Sequence, residues 1–322
     1  MLIGLNFHRM YLDRPELLPG LGPGADAVES IVALMRLSGR LASSLGPAQP
    51  RPAVQLGVEC AEILSSPQVL EQLGEASSKM GVELVIHHPD WSHPGQEGFA
   101  SRLARDVHRC WQLGGRLVIL HAPPGSCSSD LERAARAITA REVVEALEET
   151  GVKLGVENIR PRDSACFSQP RGLGQLIGEV QDRLSRADRG LAERIGVCLD
   201  YGHFTSSTAG ENLEELVNGI LGLSPAVIAS HIHFNDGSGD QHLLLDERPD
   251  CERVRLLQDV FLDQVLPHLE SCEAFIIERN SPFTWNQLLH TAAAVWGRIV
   301  QPGIPEENRE EGGPSHRDGR RV

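Results

Sequence analysis

The sequence is poor in aromatic side chains, which make up 4% of it, and its 30 Lys and Arg are outnumbered by 44 Asp and Glu. A formal charge of −14 disfavours nonspecific adhesion to nucleic acid or to an anionic membrane face, and few rings are available for stacking on bases. Bound cations would offset part of this charge, because a residue count omits them. No segment approaches the roughly 18 uninterrupted apolar residues of a membrane helix. The start, "MLIGLNFHRMYLDRP", lacks the basic and then long apolar order of a secretory leader. The seven cysteines (60, 110, 127, 166, 198, 251, 272) form no C-x-x-C pair, and an odd, scattered set reads as reduced thiols in a cytoplasmic protein. Nucleotide-binding glycine motifs of the G-x-G-x-x-G or Walker type are also missing; "RGLGQLIGEV" (171–180) is glycine-rich but follows no strand.

Short apolar runs alternate with longer stretches of helical period, the pattern of βαβ units on a parallel sheet. Strands are expected at 2–7, within 53–64, and at 82–88, 116–122, 152–158, 195–200, 226–234 and 273–279. Helices are clearest at 128–149, where Gly151 supplies the stop, at 211–222 and at 251–270. In the last helix, "SPFTWNQLLHTAAAVWGRIV", Ser281 is the candidate cap and Pro282 the first helical residue. Eight strands separated by helices suit either a closed barrel or an open doubly wound sheet. Strand after strand ends in His, Asp or Glu, which is how a barrel gathers ligands on one face, so the expected fold is α/β, a single-domain (β/α)8 TIM barrel over 1–301. The polar, Gly- and Pro-rich segment 302–322 reads as a disordered tail, which removes His316 from consideration.

The C-terminal ends of strands three to eight carry His88, His121, Glu157, Asp200, His233 and Glu278, with His203 in "LDYGH" and Asp240 and His242 in "GDQH" close behind. Imidazoles and carboxylates crowded on one rim repel or desolvate one another unless cations hold them together. Mixed nitrogen and oxygen donors suit Zn²⁺, Mn²⁺ or Fe²⁺ better than Ca²⁺ or Mg²⁺. One such residue alone is more often structural, whereas six successive strand ends of ligand type are hard to produce by accident. His87 and His88 point to opposite sides of their strand, while His231 and His233 share a side. Proximity to the strand ends selects His88 and His233 and leaves His231 a layer deeper. His8, His93, His108, His268 and His290 are assigned to structure or surface.

These motifs resemble the xylose isomerase-like TIM-barrel superfamily, and within it the endonuclease IV (AP endonuclease family 2) branch, from about residue 82 to 285. "GVCLDYGH" is similar to that branch's G-V-C-x-D-x-x-H, "HFNDGSGDQH" to its H-x-N-D…D-x-H, and "VENI", "IIERN", "HHPDW" and "LHAPPGS" to its remaining ligand segments. The resemblance implies up to three divalent ions, zinc first. One would lie on His88, His121 and Glu157, one on Glu157, Asp200, His233 and Glu278, and one on His203, Asp240 and His242. It implies a metal-dependent phosphodiesterase in which Glu157 and Glu278 orient or deprotonate the attacking water. Sugar isomerases and epimerases of the superfamily keep Glu157, Asp200, His233 and Glu278 for one ion and generally lack the D-x-H pair, so that activity is the alternative. DNA-cleaving members usually carry Arg where Gln241 stands, and residues 8–60 show no match to their DNA-contacting loops. A small or cofactor-type phosphodiester, such as a cobamide, is therefore expected in preference to DNA, with abasic-site cleavage a third reading. Arg160, Arg162 and Arg279, just past strand ends, are candidate phosphate clamps.

Overall fold

The computed structural model describes residues 1–57, 60–88, 98–124, 128–161, 166–186, 188–206 and 212–300. Eight parallel strands close into a barrel in sequence order. They are β1 (Leu2–Phe7), β2 (Arg51–Leu56), β3 (Glu83–His87), β4 (Leu117–His121), β5 (Lys153–Glu157), β6 (Ile195–Asp200), β7 (Val227–Ile232) and β8 (Ala274–Ile277). β8 closes on β1 through Leu2↔Ala274 to Leu5↔Ile277. The chain is thus an α/β (β/α)8 TIM barrel with helices around a closed sheet. The expected tail at 302–322 lies outside the described residues.

Two hydrophobic layers follow from strand alternation. A small inner cluster, including Ala53, Val85, Ile119, Cys198, Ala229 and Ile276, fills the barrel. The other faces of the strands, with Leu84, Ile86, Leu120 and Val156 among them, pack against the helices in the main core. Local chemistry sets the helix ends. Asp26 and Glu29 form a reciprocal capping box on Ala27–Ser43, Ser66 caps Pro67–Met80, and Gly81 and Gly151 end their helices at φ of 64° and 71°. Among the described residues no helix is long and apolar enough to cross a membrane.

Three helical expectations differ from the structure. The span 128–149 is two helices, Ser128–Ile138 and Arg141–Thr150, because Ala140 is extended at ψ 149° and Thr139 turns its hydroxyl onto the Ala135 carbonyl. The span 251–270 starts as the α-helix Glu252–Val260 and continues as a π turn, Phe261–Val265, and a 3₁₀ turn, Leu266–His268. Pro267 lies in that 3₁₀ turn; lacking an N–H, it cannot continue the α-helical ladder. The last helix is Trp285–Val300, later than the Ser281 reading. Thr284 Oγ1 accepts the Gln287 N–H at 3.2 Å while Gln287 Oε1 accepts the Thr284 N–H at 2.9 Å, so a reciprocal box fixes the start.

Candidate metal centre

The rim of the barrel is one rung of side chains set two residues beyond the inner apolar layer. Ala53 is followed by Gln55, Val85 by His87, Ile119 by His121, Cys198 by Asp200, Ala229 by His231 and Ile276 by Glu278, while β1 and β5 contribute Asn6 and Glu157 after glycines. The register places Asn6 beside Gln55, His121 beside Glu157 and Asp200 beside His231. Each strand therefore presents one polar residue at about the same height; the short helix Tyr201–Thr205 adds His203, and the segment after β7 adds His233, Asp240 and His242.

Glu157 is the hub. Its Oε2 lies 2.8 Å from His87 Nε2 and 3.4 Å from His121 Nε2, and its Oε1 lies 3.0 Å from His231 Nδ1 and 3.3 Å from His203 Nδ1. Asp200 Oδ2 is 2.9 Å from His233 Nε2 and 3.4 Å from His203 Nδ1, and its Oδ1 accepts the His203 N–H. Glu278 Oε1 accepts from Gln55 Nε2 at 2.9 Å, and its Oε2 is 3.7 Å from His242 Nδ1. Asp240 Oδ2 lies 3.2 Å from His242 Nε2 and 3.6 Å from His203 Nε2, with Arg160 Nη1 at 3.4 Å.

Most of the sequence-selected set converges here: His121, Glu157, Asp200, His203, His233, Asp240, His242 and Glu278 all lie within these contacts. His88 does not. It points out of the barrel to the helix Phe99–Gln112, with Nδ1 2.7 Å from Asp106 Oδ2 and its ring edge-on to Phe99. His87, which shares its face with Val85, takes the cavity position. Proximity to the strand end is the wrong criterion; the face on which the side chain emerges decides, and a strand apolar on both sides carries no polar mark of it. His231 is likewise more than a deeper neighbour, since it touches Glu157 and donates from Nε2 to Gln55 Oε1 at 2.8 Å. Gln55, Asn6 and His8, which also line the cavity, went unselected because amides and a lone histidine near an N-terminal strand give no ligand-type signal.

Arg279 does not face the cavity as a phosphate clamp. The residue is 8% exposed, and its guanidinium is engaged with the His242 carbonyl and the Glu247 carboxylate. Arg160 stands at the rim beside Asp240, and Arg162 lies outside the described residues. His108 and His290 pair with Glu149 and Asp246 near the surface, consistent with structural roles; His93 lies outside the described residues.

Charge and burial both favour cations in this cluster. Glu157 and Asp200 are buried, which raises a carboxyl, yet the surrounding imidazoles hold both well below the ordinary carboxylate range. Burial pushes His121 down to about 3, whereas at His203 the nearby carboxylates, Asp200 foremost, outweigh burial and lift it to about 10. The buried Nδ1 atoms of His233 and His242 and Oδ1 of Asp240 have no hydrogen-bond partner. Such orphaned polar atoms are costly unless something else meets them. Sets such as His87, His121 and Glu157, or Asp200, His203 and His233, bring their ligand atoms within 4.8 Å of one another. Once their imidazoles are deprotonated, such sets of nitrogen and carboxylate ligands at that spacing fit divalent metal. The adjoining cavity, lined by His87, His121, Glu157 and His203 among others, measures about 310 Å³.

Similar proteins share the barrel fold. Residues 50–255 match the family model described as xylose isomerase-like TIM barrel. An uncharacterized protein of Methanocaldococcus jannaschii is 25% identical over 196 residues, covering 56% of this chain and 61% of that relative, so the chain spans less than two thirds of its length. Among solved structures, a D-tagatose 3-epimerase-like protein superposes at a TM-score of 0.61 and 18% identity, covering 93% of this chain and 97% of that one. Endonuclease IV from Thermus thermophilus superposes at 0.54 and 19%, covering 92% and 98%. A zinc-soaked protein of the same organism superposes at 0.59 and 20%, covering 92% and 99%. At these identities the superpositions speak to the fold alone and include both an endonuclease and an epimerase-like protein. With a matching model over most of the chain and a ligand rung at the strand ends, the chain belongs to the family of xylose isomerase-like TIM barrels.

Proposed function

We propose that the protein hydrolyses a small phosphodiester with divalent ions, zinc first and Mn²⁺ or Fe²⁺ as alternatives, held in up to three clusters. The observation that carries this reading is the third cluster. Asp240 Oδ2 faces both His203 Nε2 and His242 Nε2, outside the set formed by Glu157, Asp200, His233 and Glu278 that a one-ion isomerase needs. Divalent ions bound there would neutralise a phosphate and acidify a water toward hydroxide near neutral pH. Glu157 at the end of β5 and Glu278 just past β8 would orient that water and take its proton. Arg160, half-buried beside Asp240, is the described guanidinium placed to reach a phosphate from the cavity mouth.

A small substrate suits the rim better than duplex DNA. Gln241 turns back into its own loop, with Oε1 accepting the Asp236 N–H at 2.8 Å and Nε2 3.3 Å from Ser238 Oγ, so no cation is offered there. The acidic balance adds long-range repulsion. Metal quantification on tag-free protein, with turnover of model phosphodiesters, cobamides, abasic DNA and ketoses, tests the reading. About three ions per chain with phosphodiester cleavage supports it. One ion with ketose epimerisation or isomerisation rejects it, and preferential cleavage of abasic DNA keeps the chemistry but overturns the substrate.

A further inference from the structure

The arm that carries Asp240 and His242 leaves the barrel after β7 and returns toward β8, and two residues grip its backbone on either side of His242. Asn235 Oδ1 accepts the N–H of Gln241 at 2.5 Å and lies 3.3 Å from that of His242, while its Nδ2 donates to the Gly202 carbonyl at 2.7 Å. From the other side Arg279 Nη1 donates to the His242 carbonyl at 2.5 Å. Between these contacts His242 has φ 51°, a left-handed backbone that a residue with a Cβ adopts only where its surroundings hold it.

Arg279 is anchored as firmly as it holds. Its Nη2 meets Glu247 Oε1 at 2.5 Å, Glu247 Oε2 accepts the Leu244 N–H at 2.8 Å, and its own N–H donates to Asn6 Oδ1 at 2.8 Å. One planar fork thus ties the end of β8, directly after Glu278, to both ends of the segment 242–247. A lysine could supply the charge but not both arms of the fork.

We propose that Arg279 is a positioning residue that sets the left-handed turn at His242 and so aims its imidazole at Asp240 and the third cluster. It touches none of the reacting groups. Its influence passes through the His242 carbonyl and the Glu247 pair. The inference rests on the three-cluster reading only for its metal consequence; the hold on the arm is a property of the metal-free protein.

The test pairs hydrogen exchange with metal binding. In chelator-stripped protein, Arg279→Met should raise exchange across 240–247 by about tenfold or more while leaving β3 to β5 protected, with Arg279→Lys between it and the wild type. On titration with zinc alone, the weakest site should lose affinity on the order of 10- to 100-fold, as positioning contacts around ligands do. If Arg279→Met fails to fold, Arg279→Lys and Glu247→Gln carry the same two measurements. Unchanged exchange across 240–247 in the folded variants overturns the proposal, whatever their melting temperature. A wild type that binds fewer than three zinc ions counts against the three-cluster function, and the exchange data still decide the role of Arg279.

Discussion

Gln55 stands between the two carboxylates expected to handle the water: its Nε2 donates to Glu278 Oε1 at 2.9 Å, and its Oε1 accepts from His231 Nε2 at 2.8 Å, whose Nδ1 faces Glu157. This bridge lies within the rim rung and orients Glu278 directly and Glu157 through His231. Gln55→Leu keeps the volume and removes the bridge, leaving a buried carboxylate and imidazole each short of a partner. Catalytic turnover is expected to fall on the order of 10- to 100-fold, with a smaller change in KM. Gln55→Glu, which sets a like charge against Glu278, should be worse. Steady-state kinetics on the two variants check this, and equal activity of Gln55→Leu and wild type would remove the bridge from the mechanism.

The neighbouring histidines of β3 should separate cleanly. His87→Ala removes a contact of Glu157 and is expected to lower metal content and activity with little effect on folding. His88→Ala leaves Asp106 its second partner, Arg109 at 2.9 Å, so the loss is about 1–3 kcal/mol of stability with metal retained. Elemental analysis beside denaturant unfolding distinguishes the two, and loss of metal in His88→Ala alone would reverse the assignment.

Gly202 is held small by the site. A Cβ there would lie 2.1 Å from His233 Cε1, so Gly202→Ala must shift the imidazole or the turn. Reduced metal binding and lower stability are expected. Gly178, inside the helix Pro170–Ser185 with open space around it, is the control: Gly178→Ala should stabilise by about 0.5–1 kcal/mol. Opposite signs in thermal melting would confirm that close packing, rather than glycine content, is the cause.

Acid and base should act oppositely on the metal-free and metal-loaded forms. In the metal-free protein His203 is raised to about 10 from 6.5, so its contribution is complete below 6.5 and disappears as pH rises through 10. The depressed Glu157 and Asp200 contribute above their ordinary range and lose that contribution as pH falls through their folded values. Metal requires neutral imidazole, so zinc affinity should climb over the pH range in which His203 gives up its proton, and binding should release protons. Melting curves with chelator and with zinc between pH 6 and 10 should diverge; parallel curves would contradict the cluster as drawn.

Much of this was legible in the sequence because a barrel converts strand order into a ring. The bounds of β1 and β6 follow from apolar runs, and His121, Glu157, Asp200, His233 and Glu278, which meet at the rim, follow from ligand-type residues at strand ends, while His203, Asp240 and His242 come from the motifs just downstream. The remainder depends on direction. His87 and His88 are the same residue type and both buried, and the packing of Leu84 and Ile86 outward with Val85 inward tells them apart. Arg279 looks like a clamp in one dimension because Glu247, the group that engages it, lies 32 residues away.

The closed strand order also dictates when the rim can exist. Gln55 and Glu278 are partners separated by 223 positions, and the hub Glu157 sits midway between them. Loop closure over that distance comes late, after local pairs have formed, so the complete ring is assembled only when the last strand meets the first. Metal capture at the full rim would then act as a latch on the finished barrel, and chains arrested before that step would hold no more than fragments of it.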